Sequence, residues 1–504
     1  MKFELVVNKD EILFKPLTKT VAAVTVVRTR VESDGRPCAT DDAAVSVVPV
    51  AAVTGSNITS VDEMQKSNET DAGNSIEGKT FWFKEFEMLC LTSDFEEIDE
   101  RGNADLSNIS KENVRMRARL RRRFTDLILR ATICSANVLA ILPFRYNKTK
   151  RRVECSKLWL KYTISINVII LFLLIWTRPT KDRLNVDILQ RKPIVALVNY
   201  LNFYGTIYTI VLIIWMNWRD RKNLLDFFNT CLIMEYECFR IYSDLKRECE
   251  DFDNFIIWKA VLTLLQNASF VNTVYDFRSF SWVAQLLLLI FTYFLLNMLL
   301  VTIQLFIICI LFQYRCFWVL NRRLQHIAEV ELKQSGREHI TAEISMLCGI
   351  YVRLLGIFRR CTNMYEQQAL LMVAVLTGSN IMSLFFAKLI WTGKVMEMSV
   401  WSICDNLQMV LINVADFWLT ITICELTVNT SRITANLLRN FNDFRRLDKY
   451  LERNVEQFSF ICCDNQLKFR LCGLIDLNHE TGCRILFTMI LYFIYFVQVD
   501  YNAT

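Results

Sequence analysis

The last apolar segment of the chain carries polar side chains at helical spacing. These residues, with one apolar neighbour, are Thr488, Tyr492, Tyr495, Gln498 and Val499. On a helix they fall at i, i+4, i+7 and i+10/i+11, so they share one face of a segment otherwise made of Leu, Ile and Phe. Several such helices around an axis can enclose a hydrated path, which an apolar ring closes by dewetting. The alternative is that the tyrosines donate hydrogen bonds to neighbouring helices.

Asp500 follows this face directly. Four copies of its carboxylate at the mouth of a hydrated path would form an acidic ring, which raises the local concentration of cations. A solvated terminal residue is an equally good interpretation. The pattern predicts ion conduction only if the rest of the chain builds a membrane protein.

The composition indicates an all-α, polytopic membrane protein. Of the 504 residues 53% are hydrophobic, with 13 glycines and 6 prolines, whereas a soluble domain of this size is less apolar and richer in both. A bilayer-spanning helix needs about 20 apolar residues, and seven segments approach this: 158–177, 193–216, 255–275, 282–312, 369–391, 404–424 and 483–499. The third is the weakest because it contains Lys259 and three amides. The fourth is long enough to tilt or to continue beyond the bilayer.

The distribution of lysine and arginine predicts the orientation of these spans. Alternate loops carry 22 basic residues on one side and 7 on the other, and the basic side is expected to be cytosolic. The N-terminus is then inside and, after seven crossings, the C-terminus is outside. A receptor that signals through a G protein has the opposite orientation. A multi-pass transporter is the second alternative, but transporters favour internal repeats and helices broken by Gly or Pro.

Two regions precede the first span. Residues 1–114 are polar, lack periodicity and predict a disordered cytosolic extension. Residues 115–157 predict a basic, amphipathic pre-membrane helix, in which 115–123 holds six arginines and 127–144 is an interfacial segment,. Basic residues cluster beside apolar spans rather than on one face, so no nucleic-acid partner is expected.

Catalytic and metal-binding patterns are absent from the sequence. It contains no GxSxG, GxGxxG, Walker A or HExxH motif, and the 17 cysteines and 3 histidines show no zinc spacing,. We therefore expect no enzyme activity, no catalytic residue, no metal and no cofactor. The cysteines lie in spans or on the predicted cytosolic side, where thiols stay reduced.

Two apolar stripes with helical spacing lie in the predicted cytosolic loops. The first is Ile340, Ile344, Leu347, Tyr351, Leu354, Phe358 and Cys361. The second is Ile433, Leu437, Phe441, Phe444, Leu447, Leu451, Val455 and Phe458. Spans five and six are expected to extend into the cytosol as long helices, which either pack within one subunit or join subunits.

The C-terminal third resembles the insect gustatory receptors. That family ends in Thr-Tyr, five apolar residues and Gln-Phe, and here Tyr492, a five-residue spacer and Gln498 match, while Leu491 and Val499 replace the Thr and the Phe. The stretch Phe469–Leu477 is similar to the family segment that leads into the last span. The resemblance covers residues 120–504. The sequence of the C-terminal segment is most similar to fruit-fly receptors of a clade linked to bitter taste.

The resemblance implies a ligand-gated, non-selective cation channel in the plasma membrane of gustatory receptor neurons. Four seven-span subunits, identical or related, would surround a pore lined by the last span, with Gln498 and Val499 forming the gate. A small-molecule tastant would enter a pocket in the outer halves of spans two to six. Its candidate residues are Tyr200, Tyr204, Tyr275, Gln285, Tyr293, Asn380, Trp391, Asn413 and Asp416. Each of them is also a candidate for contacts between helices. Asp416, an acid within a span, could hold a basic ligand or pair with a buried donor.

Overall fold

A computed structural model gives the architecture of the chain. It describes residues 3–8, 11–16, 106–147, 150, 152–176, 193–275, 282–331, 337–392, 400–442 and 449–502. The chain divides into two units, residues 1–75 and 76–504. In the first, strands β1 (Phe3–Asn8) and β2 (Glu11–Pro16) form an antiparallel hairpin in which Asn8 lies opposite Glu11. The hairpin falls in the extension for which we predict disorder, and residues 17–105 of that extension lie outside the described part.

The described part of the second unit is mostly helical. Its longer helices are α1 (Leu106–Val138), α2 (Lys157–Trp176), α3 (Pro193–Arg219), α4 (Arg221–Ile233), α6 (Glu250–Tyr275), α7 (Trp282–His326), α8 (Arg337–Trp391), α9 (Val400–Asn442), α10 (Lys449–Asp464) and α11 (His479–Asn502). Short pieces connect them: β3 (Phe144–Asn147), β4 (Arg152–Cys155), α5 (Ser243–Glu248), β5 (Arg470–Leu471) and β6 (Ile475–Asp476), with single π-helical turns at Met234–Cys238 and Ile327–Glu331.

Each predicted span coincides with a helix. Among the described residues, five helices are long and apolar enough to cross a membrane: Lys157–Ile175, Leu289–Val330, His339–Trp391, Ile403–Phe441 and His479–Tyr501. The other two predicted spans lie in α3 and α6, which have 27 and 26 residues. A mostly helical protein with several apolar helices is therefore confirmed, while seven crossings and their orientation stay predictions.

Three of the helices are much longer than a bilayer requires. Helices α7, α8 and α9 have 45, 55 and 43 residues, which corresponds to about 65 to 83 Å, against a hydrocarbon core of about 30 Å. Helix α9 is central, since α6, α7, α8, α10 and α11 all pack against it. Helices α3 and α11 also pack against α8.

The long helices converge in a large apolar core at one end of the bundle. All seven residues of the first predicted stripe are buried there, so the period of 3.6 residues identifies the packed face of α8 correctly. The second stripe is confirmed in part, because Phe441 is buried as predicted, whereas Ile433 is exposed, Leu437 is half-buried, and α9 buries Thr434 and Leu438 beside them. Phe444 and Leu447 lie outside the described residues. In α10 the stripe resumes, with Leu451, Val455 and Phe458 buried.

Helix α1 differs from the interfacial segment predicted for 127–144. It ends at Val138, because the chain turns at Ala140, whose φ of 58° is left-handed, and then forms the β3–β4 hairpin. Gln304 of α7 donates a hydrogen bond to the Thr132 hydroxyl at 2.8 Å, and Arg121 pairs with Glu250 at 2.9 Å. These contacts lay α1 alongside α7 and the start of α6.

An ion pair fixes the start of α8 to the end of α7 within the large core. Arg323 donates two hydrogen bonds to the Glu343 carboxylate, at 2.6 and 2.7 Å, and the Tyr242 hydroxyl adds a third at 3.2 Å. Burial acts to raise the pKa of Glu343, but the hydrogen bonds and charge of Arg323 outweigh it and leave the pKa below its ordinary value. Burial, together with this carboxylate, raises the pKa of Tyr242 to about 12.

We predict that Glu343→Gln lowers the free energy of unfolding by about 2 kcal/mol at neutral pH, because charge-assisted hydrogen bonds are lost. A carboxyl group whose pKa is lowered on folding contributes stability above its unfolded pKa, about 4.3, and loses it as pH falls through the folded value. The difference in melting temperature between wild type and variant should therefore shrink as the pH falls below about 4. Glu329→Gln, at an exposed position, is the control. A pH-independent difference would contradict the assignment.

Candidate functional site

Helix α11, which carries the predicted pore face, is fixed at its start. Asn478 caps it by accepting a hydrogen bond from the backbone N–H of Thr481 at 2.8 Å, and Glu425 of α9 accepts one from the backbone N–H of His479 at 2.9 Å. The His479 ring lies 5.0 Å from the ring of Trp418. A Cβ at Gly482 would lie 2.6 Å from Ile421, so glycine permits this close approach of α11 to α9.

The other end of α11 is also fixed, by contacts with α8. Phe496 packs edge-on against Phe385 with ring centroids 6.1 Å apart, and Lys388 pairs with Asp500, which is 1% exposed. The acidic ring at a pore mouth requires an open carboxylate at position 500. In the structure this carboxylate instead pairs with α8 of the same chain, because one buried face of α11 carries Met489, Phe496 and Asp500 together.

The remaining faces of α11 are open. Thr488, Tyr492, Tyr495 and Gln498 are all exposed and Val499 is half-buried. The Thr488 hydroxyl donates to the Arg484 carbonyl of its own helix at 2.7 Å. Only 17% of the most apolar stretch of α11 is buried within the chain, against 61% for α7. The face that we predict for the pore is therefore turned away from the rest of its own chain.

Helices α6, α8 and α9 are joined by a chain of amides, three of which are buried. Gln266 donates to Asn413 at 3.1 Å, and Asn413 donates to Asn380 at 2.9 Å. Near one end of this chain Gln408 donates to Ser269 at 3.2 Å. Buried polar groups in an apolar medium require partners. Asn380 and Asn413, both predicted for the ligand pocket, thus hydrogen-bond with each other.

A buried ion pair lies beside this chain of amides. Lys259 Nζ of α6 is 2.5 Å from Asp416 Oδ1 of α9, and both side chains are almost inaccessible. Of the two alternatives for Asp416, a basic ligand or a buried donor, the structure supplies the donor from within the chain. Sequence reasoning missed Lys259, counting it only as a weakness of the third span. Opposite charges isolated in two apolar segments were the available signal.

The aromatic pocket candidates do not gather around one cavity. Tyr200, Tyr204, Tyr293 and Trp391 are between 41% and 78% exposed. Tyr200 and Tyr204 stack with centroids 6.5 Å apart on the surface of α3. The structure gives the backbone of Tyr275 and Gln285 as helical, but their side chains lie outside the described part. The predicted residues whose side chains are described therefore separate into exposed aromatics and buried polar residues, which bind each other or Lys259.

No group of three or more His, Cys, Asp or Glu side chains suited to a metal ion occurs among the described residues. What remains is helix α11, which has an exposed polar face and is held at both ends by α8 and α9. The helices α6, α8 and α9 are themselves joined by buried polar contacts. Such an arrangement is suited to association with further apolar helices.

Comparisons with known proteins assign this arrangement to a family of receptors. A sequence model of the family described as 7tm Chemosensory receptor matches residues 129–503. The gustatory receptor for bitter taste 22e of Drosophila melanogaster is 25% identical over 390 residues, which cover 76% of this chain and 97% of that receptor. This is a family of receptors and not of enzymes.

A solved structure has the same fold. The insect olfactory receptor OR5 from Machilis hrabei, determined in complex with eugenol, superposes with a TM-score of 0.53 at 11% identity, covering 76% of this chain and 99% of that one. At this identity the likeness concerns the fold alone. The family model spans most of the chain, so the chain belongs to the 7tm chemosensory receptor family.

Proposed function

We propose that this protein is a gustatory receptor that acts as a ligand-gated, non-selective cation channel in the plasma membrane. The observation that carries the proposal is the polar face of α11, which lies open on the surface of its own chain. Family membership supports the receptor function, and the fold shared with an insect olfactory receptor supports the channel. The bitter-taste name of the fruit-fly relative suggests bitter tastants as the ligand class.

The proposed assembly is a homo- or heterotetramer of seven-span subunits. Helix α11 exposes Phe487 and Leu491 beside its polar face, so one part of its surface can contact lipid or a neighbouring subunit while the tyrosines line water. Gln498 and Val499 would form the constriction. The ligand would act by binding the open form of the channel better than the closed form.

Of three predictions that follow from the proposed function, the first concerns the gate. A Gln498→Cys variant, treated with a charged thiol reagent from outside, should show a clear change in tastant-evoked current, because a charge at the constriction alters its hydration. The parent channel must first be tested with the same reagent, since Cys404 and Cys483 are exposed. Val497→Cys, on a different face of α11, is the matched control and should respond much less. Modification of position 498, verified by mass spectrometry, without a change in current would reject the gate.

The second prediction concerns topology. An epitope tag placed after Thr504 should bind antibody on intact cells, since seven crossings from a cytosolic N-terminus leave the C-terminus outside. A tag at the N-terminus should bind only after permeabilisation. The reverse pattern would favour a receptor that signals through a G protein and would remove the pore assignment of α11.

The third prediction separates the two roles considered for Asp416. Asp416→Asn should lower stability by about 3 to 5 kcal/mol, because Lys259 is left as an uncompensated buried charge. The amount at the cell surface and the melting temperature of purified protein measure this effect. Asp405→Asn, a half-buried acid in the same helix, should have little effect.

A double variant, Lys259→Met with Asp416→Leu, removes both charges and should recover most of that stability. Because Lys259 already neutralises Asp416, tastant potency in the double variant should stay within about threefold of wild type, a difference of under 1 kcal/mol in binding. A well-folded double variant that no longer responds to basic tastants would return Asp416 to the ligand site.

A further inference from the structure

A cavity of about 50 Å³ lies between α7, α8, α9 and the β5–β6 hairpin. Its walls are mainly apolar and include Phe306, Met372 and Phe417. The Thr302 and Thr420 hydroxyls also border it, but they donate to the Met298 and Asp416 carbonyls of their own helices, at 2.7 and 2.9 Å. Both hydroxyls therefore already use their proton within their own helix.

The cavity has almost no net charge to offer. Asp416 lines it, but its Oδ1 atom is 2.5 Å from Lys259 Nζ. A bound cation would compete with the buried Lys259 ammonium for the Asp416 carboxylate. A bound anion would be repelled by that carboxylate. A neutral occupant is therefore expected.

Gln368 defines the polar requirement of the occupant. Its side chain is 2% exposed, and its Oε1 atom accepts no hydrogen bond. Gln368 borders this cavity and an adjoining space of about 10 Å³. Since a buried carbonyl oxygen without a donor is costly, a suitable occupant donates one hydrogen bond.

Size and polarity together define the class of molecule. A group of the size of a water molecule needs about 10 to 15 Å³ of cavity volume measured in this way. The cavity of about 50 Å³ therefore admits roughly three to five non-hydrogen atoms. A cluster of waters would need two to four polar partners for each molecule, and it is disfavoured because most of the exposed wall is apolar. A short apolar tail with one hydroxyl satisfies both requirements.

We propose that this cavity is a binding site for short-chain alcohols of about two to four carbons. The hydroxyl donates to Gln368 Oε1, and the alkyl tail packs against Phe306, Met372 and Phe417. Leu471 and Leu477 also line the cavity, and they lie on the two sides of the β5–β6 turn just before α11. An occupant therefore touches the connection that leads to the proposed pore helix, so it alters the response to tastants. Binding stands by itself, whereas this effect on gating rests on the proposed function.

The test of binding is the melting temperature of the purified full-length protein in lipid nanodiscs. Ethanol, 1-propanol, 1-butanol and 1-octanol are compared at concentrations that give equal amounts in the bilayer. A bound alcohol raises the melting temperature relative to the protein with a blocked cavity, by an amount that follows its concentration. Effects through the bilayer would be the same for all four alcohols, whereas a site in the cavity should exclude octanol.

Three variants make the test specific. Gln368→Leu removes the acceptor and should weaken 1-propanol binding about fivefold, the loss of one hydrogen bond. Ala369→Leu adds three carbons to the cavity wall and should abolish binding. Gln313→Leu is the matched control, since Gln313 is a fully buried glutamine outside the cavity, and it should bind 1-propanol as wild type does. Equal responses of wild type and both cavity variants, or a response that extends to octanol, would overturn the site.

Currents test the coupling to α11. In wild type, 1-propanol should shift the concentration of tastant required for half-maximal current, and Gln368→Leu should reduce that shift. An unchanged response, with binding verified by melting, would reject the coupling. If the protein carries no current at all, the proposed channel function fails, while the melting experiment still decides whether the cavity binds alcohols.

Discussion

The buried polar contacts of α9 determine how the other helices are arranged. Among apolar helices in lipid, hydrophobic surface gives little preference for one register over another, because lipid tails and Leu side chains are equally apolar. Polar groups do give such a preference, since each needs a partner at one position. The Lys259–Asp416 pair and the amides Gln266, Asn413 and Asn380 fix α9 against α6 and α8 in this way. Helices α7, α10 and α11 then pack against a helix whose position is already set.

The position of α11 follows from this arrangement. Its start is held on α9 by Glu425, Trp418 and the close approach at Gly482, and its end is held on α8 by Lys388 and Phe385. Between these contacts the helix touches its own chain along a narrow face. A helix fastened at two ends by different neighbours responds to a relative shift of α8 and α9. A change at the interface between those two helices would therefore be transmitted to α11.

Hydropathy and helical periodicity predict much of this fold. The seven apolar segments all lie in helices, and the stripe from Ile340 to Cys361 identifies the buried face of α8, because both patterns are local in sequence. The second stripe was wrong only at its start, where α9 turns Thr434 and Leu438 to the core in place of Ile433 and Leu437. The end of α1 at Ala140 was missed because a left-handed residue other than glycine leaves little signal in the sequence.

The candidate site was less predictable, because its partners are distant in sequence. Asp416 was correctly marked as unusual, but no local pattern links it to Lys259, which lies in another helix 157 positions earlier. Asn380 and Asn413 have the residue type and the position within a span that are expected of pocket residues. An amide that joins two helices has the same features, so the sequence does not distinguish the two roles. Asp500 was assigned to a pore mouth because it directly follows the predicted pore face, whereas its place on the helix, one turn after Phe496, puts it against Lys388.

The same residue types thus serve two purposes in this bundle, and burial distinguishes them. Amides and charges that find a partner within the chain are used to hold helices together, and the bundle cannot release them to a ligand without leaving the partner unsatisfied. The hydroxyl and amide groups of Tyr492, Tyr495 and Gln498 are instead exposed on the surface of the chain. The apolar side of α11 is best covered by lipid or protein, and these polar groups are best left in contact with water. Several α11 helices around a hydrated axis meet both conditions.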